Sequence, residues 1–149
     1  MYSRIVVGTD GSELATKALR HAAALAKDNG ARLFVVTATE PPGLVAPGAE
    51  LMAVDVGAII TELEKAKATS AKTTLTEAEA LVKELGMTAE TIHVAASTAA
   101  DAIVSTAKEQ GADLIVMGSH GRRGLGRLLL GSQASEVLAH STVPVLVVK

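Results

Sequence analysis

Cysteine and tryptophan are absent from the 149 residues, and phenylalanine and tyrosine occur once each. Without cysteine there can be no disulfide, no thiolate metal site and no cysteine nucleophile. With so few aromatic residues the core must be aliphatic. Charge of one sign is lacking too: 14 Lys and Arg against 16 Asp and Glu leave a formal net charge of −2. Such a chain has no basic balance to draw it to nucleic acid or to an anionic membrane surface. No apolar run approaches the length needed to span a bilayer, about 20 residues. Met1-Tyr2-Ser3-Arg4 leads straight into a strand-like run, without the apolar stretch and cleavage site of a signal peptide. The expectation is a cytoplasmic protein with no nucleic-acid partner and no membrane insertion.

What is present is abundant small aliphatic residue. Apolar types make up 48% of the chain and mean hydropathy is +0.34, enough for a full core in one domain, expected over 1–149. Short β-branched runs alternate with longer helical patterns. Strands are predicted at Ile5–Gly8, Leu33–Ala38, Thr91–Ala95, Leu114–Met117 and Val143–Val148. Helices are predicted over roughly 13–28, 58–85, 99–110 and 132–140. Ala15, Ala18, Leu19, Ala22, Leu25 and Ala26 share one face of the first helix, with Ser12 as its N-cap and Gly30 as its left-handed stop. Ala68, Ala71, Leu75, Ala78, Val82 and Leu85 recur in steps of three and four along the second, opposite a solvated Lys/Glu/Thr face, and Gly86 ends it. Ala102, Ile103, Thr106 and Ala107 point inward from the third, and Gly111 stops it. The stretch from Pro41 to Gly57 has weak periodicity and is long for a loop.

A β-α alternation of this kind specifies an open five-stranded parallel sheet with helices on both faces, a Rossmann-like α/β fold. Pro144 can donate no ladder hydrogen bond, so the fifth strand belongs at an edge. An edge as apolar as Val143 to Val148 calls for cover, which a second copy of the chain would supply.

In such sheets ligands bind beyond the carboxyl ends of the strands, where the strand order reverses. Two segments fall at strand ends: Gly8-Thr9-Asp10-Gly11-Ser12 and the glycine-rich stretch from Gly118 to Ser132. The second combines close backbone approach, a helix start, a hydroxyl on Ser132 (itself a natural cap) and the charges of Arg122, Arg123 and Arg127. That combination suits a polyphosphate, although a glycine-rich loop can also be no more than a tight turn. A phosphate-binding P-loop is excluded, because Arg127 and Leu128 stand where Lys and Ser/Thr belong. The dinucleotide pattern fails as well, since Gly124-Leu125-Gly126 is followed by Leu129.

The pattern that does fit is G-x2-G-x9-G-[ST], filled by Gly118, Gly121, Gly131 and Ser132. With it, with Ile5-Val6-Val7-Gly8-Thr9-Asp10-Gly11-Ser12, with Ala112-Asp113-Leu114-Ile115-Val116-Met117-Gly118 and with Val143-Pro144-Val145-Leu146-Val147-Val148, the sequence resembles the universal stress protein family, in its ATP-binding branch. The resemblance covers nearly the whole chain and implies a dimeric, ATP-binding regulatory or stress-response protein. It places Gly8, Thr9 and Asp10 at the adenine and ribose end and the backbone of Ala38 against adenine. Met117, Gly118, His120 and Gly121 would line the ribose and first phosphates, and Gly131, Ser132, Gln133 and Ala134 would hold the outer phosphates. It also implies Mg²⁺ or Mn²⁺ with the triphosphate and dimers through the fifth strand. Where family members often carry Gly-x-Pro before the third helix, this chain has Ser97-Thr98-Ala99.

Alternatives follow from the residues themselves. A slow ATPase or a phosphoryl- or adenylyl-transferring enzyme would use the same site, but no residue stands out as a base to activate water, so no catalytic residue is assigned. A receiver-like signalling domain needs an acidic pair after strand 1 and an Asp after strand 3, where Asp10 stands alone and Ala95-Ala96-Ser97 follows. His21, His93 and His140 have no second ligand at metal spacing and read as structural, so no metal-ligating residue is assigned. No G-x-S-x-G elbow marks a serine hydrolase. Asp101, Glu109 and Asp113 read as cap or surface residues.

Overall fold

The computed structural model describes residues 1–42, 48, 55–121 and 130–149. Most of the segment between Pro42 and Asp55 lies outside the described residues. So do Arg122, Arg123, Arg127 and the Gly124-Leu125-Gly126 run, and the sequence-based expectations for them stay as stated.

Nine elements alternate as β1 (Arg4–Gly8), α1 (Glu13–Asn29), β2 (Arg32–Thr39), α2 (Val56–Glu84), β3 (Glu90–Ala95), α3 (Ala99–Gln110), β4 (Leu114–Gly118), α4 (Ser132–His140) and β5 (Val145–Val148). The strands form one parallel sheet in the order β3-β2-β1-β4-β5. The fold is the Rossmann-like α/β architecture that the alternation specified. Its strand order reverses between β1 and β4, so the crevice beyond their carboxyl ends is the switch point of the sheet.

Each face of the sheet builds its own buried apolar layer, aliphatic but for Phe34. On one side, Ile5, Val7, Val35 and Val116 pack beneath Ala18, Leu19 and Ala22 of α1 and beneath Leu75, Ala78 and Val82 of α2. On the other, Val6, Phe34, Val36 and Ile115 pack beneath Ala102, Ile103 and Ala107 of α3 and beneath Ala134 and Val137 of α4. Strands covered on both faces need apolar residues at successive positions, which accounts for the unbroken runs Ile5-Val6-Val7 and Leu33-Phe34-Val35-Val36.

Local signals set the helix ends. Ser12 caps α1 by accepting from the amide of Ala15, and Gly30 closes it with a left-handed φ of 65°. Thr98 caps α3 by accepting from Asp101, and Gly111 ends it with φ 60°. Two expectations are corrected. Ala68 is exposed, and the buried face of α2 begins at Ala71. A 29-residue helix is about 43 Å long and outruns an eight-residue strand of about 26 Å, so its first turns have no sheet beneath them. The fifth strand starts at Val145, not Val143. The Ser141 hydroxyl donates to the carbonyl of Val143 and accepts from its amide, at 2.7 and 3.1 Å. That turn takes Val143 out of the ladder, and the Pro144 carbonyl then accepts the first bond, from Ile115.

The far end of the sheet is tied by Asp113, which is more than a surface residue. Its carboxylate accepts from the amides of Ser3 and Arg4 at 2.8 and 3.0 Å. Partial burial works against ionisation here. The bonds from Ser3, Arg4 and its own amide outweigh that cost and hold the carboxyl below its ordinary value.

Candidate functional site at the carboxyl ends of β1 and β4

Three segments meet at the switch point: Gly8–Ser12 from the last residue of β1, Gly118–Gly121 from the last residue of β4, and Gly131–Ala134 at the start of α4. After β1 the chain is braced by its own polar groups. The amide of Thr9 donates to the carbonyl of Val36, and the Thr9 hydroxyl accepts from the amide of Gly11. Asp10 accepts from the amide of Ser12 through one carboxylate oxygen, at 2.9 Å. Its other oxygen lies against Gly121, where an added Cβ would stand 2.7 Å from it. The ends of β1 and β4 therefore touch through Asp10 and a glycine that has no side chain to keep them apart.

Ser119 is the knot on the β4 side, and sequence reasoning passed over it because its work is done by its backbone. It is 6% exposed. Its amide donates to the carbonyl of Val148, and its carbonyl accepts from the amide of Gly131 at 2.7 Å. Its hydroxyl shares a hydrogen bond with Nδ1 of His120 at 3.1 Å, which turns the other edge of the half-buried imidazole away from Ser119. Gly131 is pressed onto this segment. A Cβ there would lie 2.9 Å from the Ser119 carbonyl and 3.0 Å from His120 Cα. Its φ of −62° is open to any residue, so lack of room is what requires glycine.

The start of α4 differs from the other helix starts. Ser12, Asp55 and Thr98 each cap their helix with a side chain, whereas α4 begins at Gly131 with no side-chain cap bond. Ser132, expected to be the cap, is instead the first residue of the helix and is exposed. The close approach of Gly131 to Ser119 sets the cap one residue earlier. The first helical bond runs from Ser135 to the carbonyl of Gly131, so the amides of Ser132, Gln133 and Ala134 have no acceptor within the helix. Three donors at the positive end of a helix dipole make an anion-receptive cup.

The remaining expected residues fall around this cup unequally. Gly8 lies under Ile103, with an added Cβ 2.4 Å from its terminal carbon. Gly118 lies against Leu14. Met117 of β4 and Ala134 of α4 are buried in the layer between the sheet and its α3–α4 cover, so each can offer a ligand only its backbone. Ala38 stands two residues past Val36 on β2. Val36 turns its carbonyl toward β1 to meet Thr9, so by strand alternation Ala38 turns its N–H and C=O the same way, beyond the point where β1 has ended. One donor and one acceptor thus point past the end of β1. The side chain of Gln133 does not enter the cup, because its Oε1 accepts from the amide of Ala100 at 2.9 Å.

The other histidines sit apart. His93 shares a hydrogen bond with the Thr39 hydroxyl, and His140 with the Glu136 carbonyl, while His21 is exposed on α1. Among the described residues no three His, Asp or Glu side chains come together to hold a metal ion. Nor is any described helix long and apolar enough to cross a membrane. A groove of about 750 Å³ runs between α3 and α4 over Val104, Ala107 and Ile115, rimmed by Asp101, Lys108, Glu136 and His140. It includes none of the strand-end residues.

The fold and this cup define a class: a doubly wound α/β protein with an anion-receptive helix start at its switch point. The universal stress protein family model matches residues 1–149, and the chain belongs to that family. It is 36% identical to the universal stress protein MJ0531 of Methanocaldococcus jannaschii, covering 100% of this chain and 83% of that one. To a universal stress protein of Thermus aquaticus it is 38% identical over the whole of both chains. Among solved structures, UspA of Lactobacillus plantarum superposes with a TM-score of 0.83 at 25% identity, covering 99% of this chain and 98% of that one. A universal stress protein in complex with cAMP gives 0.73 at 30% identity, with 99% and 97% covered. One from Archaeoglobus fulgidus in complex with dAMP gives 0.69 at 28%, with 99% and 98% covered.

Proposed function

We propose that the protein is a nucleotide-dependent regulatory protein that binds ATP at the switch point between β1 and β4. The observation that carries this is the start of α4: an uncapped helix, shaped by a glycine that the Ser119–His120 backbone leaves no room to replace. The amides of Ser132, Gln133 and Ala134 would take the outer phosphates, and Gly118, His120 and Gly121 the ribose and inner phosphates. The backbone of Met117 would join them. Ala38 offers a donor and an acceptor to the edge of adenine, beside Gly8, Thr9 and Asp10. The cAMP and dAMP complexes of the two structural relatives support an adenine nucleotide as the ligand class.

The described residues supply no cluster of metal ligands, so Mg²⁺ or Mn²⁺ would be held by phosphate oxygens and water. Such coordination is usual for a hard, strongly hydrated cation on a nucleotide. The chain would act as one cytoplasmic domain and pair with a second copy along β5, an edge strand whose Leu146 is 37% exposed. Calorimetric titration with ATP and Mg²⁺, beside adenosine, tests the site. ATP should bind at least tenfold more tightly than adenosine. Equal affinity of the two would remove the phosphate cup from the account.

A further inference from the structure

α3 and α4 lie side by side on one face of the sheet, and both begin at its carboxyl edge. The first turn of α3 draws its acceptors from two places. One is local: the Thr98 hydroxyl accepts from the amide of Asp101 at 3.2 Å. The other comes from 33 residues away, where Gln133 Oε1 accepts from the amide of Ala100. Ala100 is 4% exposed, so its N–H would lose a partner that water replaces poorly. Gln133 is the second residue of α4, and its own amide is one of the three donors of the cup. A single residue thus has its main chain facing the phosphate position and its side chain locked into the start of the neighbouring helix.

We propose that Gln133 is a positioning residue. Its side chain fixes the first turn of α4 against α3, holds the cup amides where a polyphosphate needs them, and passes site occupancy to the beginning of α3. This rests on the phosphate site proposed above. A hydrogen bond to a helix amide is directional, so it restrains both the separation and the rotation of the two helix starts. A ligand that draws the α4 amides into one geometry then also firms the bond to Ala100, and by linkage a firm bond to Ala100 favours the ligand. The groove between α3 and α4 is bounded by the two elements so joined, with Ala100 and Asp101 in its lining.

The test uses the ¹⁵N-labelled full chain and two substitutions. Gln133→Met keeps the length and removes the acceptor, while Gln133→Glu keeps an acceptor for Ala100; Gln133→Ala serves if the Met variant folds poorly. Without nucleotide, the Ala100 amide should exchange about tenfold faster in the Met variant and stay protected in the Glu variant. The Asp101 amide, held by Thr98, should not change in either. Added ATP and Mg²⁺ should slow Ala100 exchange in the wild type and leave it unaltered in the Met variant. ATP affinity should fall about five- to tenfold in the Met variant, a range typical of one lost coupling, while adenosine affinity stays within about twofold. Three results would overturn the proposal alone: Ala100 exchange equal in wild type and Met variant, wild-type Ala100 exchange indifferent to bound ATP, or equal loss of ATP and adenosine affinity. A wild type that binds ATP no better than adenosine overturns the phosphate site and this proposal together.

Discussion

Replacing Gly131 by alanine puts the account under its most specific strain. The backbone at this position, φ −62° and ψ 157°, suits alanine. The entire cost therefore comes from the new methyl group. It would lie 2.9 Å from the carbonyl oxygen of Ser119 and 3.0 Å from Cα of His120. Both are backbone atoms, and no side-chain rotation relieves the contact. Either the 119–120 segment or the start of α4 must move by several tenths of an ångström, which loosens the 2.7 Å bond between Gly131 and Ser119. Overpacking of this kind costs about 1–3 kcal/mol. In a chain of this size that lowers the melting temperature by roughly 2–4 °C per kcal/mol. ATP affinity should fall at least tenfold, about 1.4 kcal/mol, because the displaced amides are the proposed ligands. Adenosine affinity should change much less.

Gly30→Ala is the matched control. Gly30 has φ 65° and nothing within 4 Å of an added Cβ. Its substitution costs about 1–2 kcal/mol of left-handed strain, partly offset by the entropy that glycine loses on folding, and leaves the site alone. Differential scanning calorimetry and ATP titration of both variants separate the two mechanisms. Equal ATP affinity of the Gly131→Ala variant and the wild type, or equal loss of ATP affinity in both variants, would show that the fit of Gly131 against Ser119 does not set the phosphate site.

Three further outcomes are expected. The native value of the Asp113 carboxyl lies below its unfolded value, so the bonds to Ser3 and Arg4 stabilise fully above the ordinary value of about 3.8 and are lost as pH falls through the lower native one. Urea unfolding across pH 2–6 should show a loss of stability at the acid end that is smaller in Asp113→Asn; equal pH profiles would contradict the clasp. Ala96, after β3, carries a left-handed φ of 53°, so Ala96→Gly should raise stability by up to about 1 kcal/mol, strain relief exceeding glycine's entropy cost. A lower melting temperature would show that Ala96 is unstrained. If the chain pairs along β5 as proposed, the wild type should sediment as a dimer and Leu146→Glu, which places a charge on that strand, as a monomer; a monomeric wild type or a variant of unchanged dimer mass would contradict the β5 interface.

The sequence carried the elements and most caps because their causes are local. Ser12, Gly30 and Gly111 act within four or five residues of where they stand, while short unbroken β-branched runs mark the buried strands and period-3.6 patterns mark the core faces of the helices. The departures have longer-range or finer causes. Thr98 had a legible signal in Thr98-Ala99-Ala100-Asp101, a cap with an acid three residues on. Asp113 meets Ser3 and Arg4 across more than a hundred residues, and nothing local in Ala112-Asp113-Leu114 announces it. Gln133 reaches Ala100 across two helices, so the family resemblance points its position to phosphate while its side chain goes elsewhere. Ser132 resembles a cap because serine is among the residues preferred at helix N-caps. The contact of Gly131 with Ser119 moved the cap by one residue, and no sequence pattern encodes a 2.7 Å tertiary bond.

The most direct measurement is a crystal structure of the protein grown with excess ATP and Mg²⁺. Outer phosphate oxygens should lie within about 3 Å of the amide nitrogens of Ser132 and Gln133, with adenine beside the backbone of Ala38. Nucleotide seated instead in the groove between α3 and α4, or its absence from the switch point in a well-ordered crystal, would contradict it.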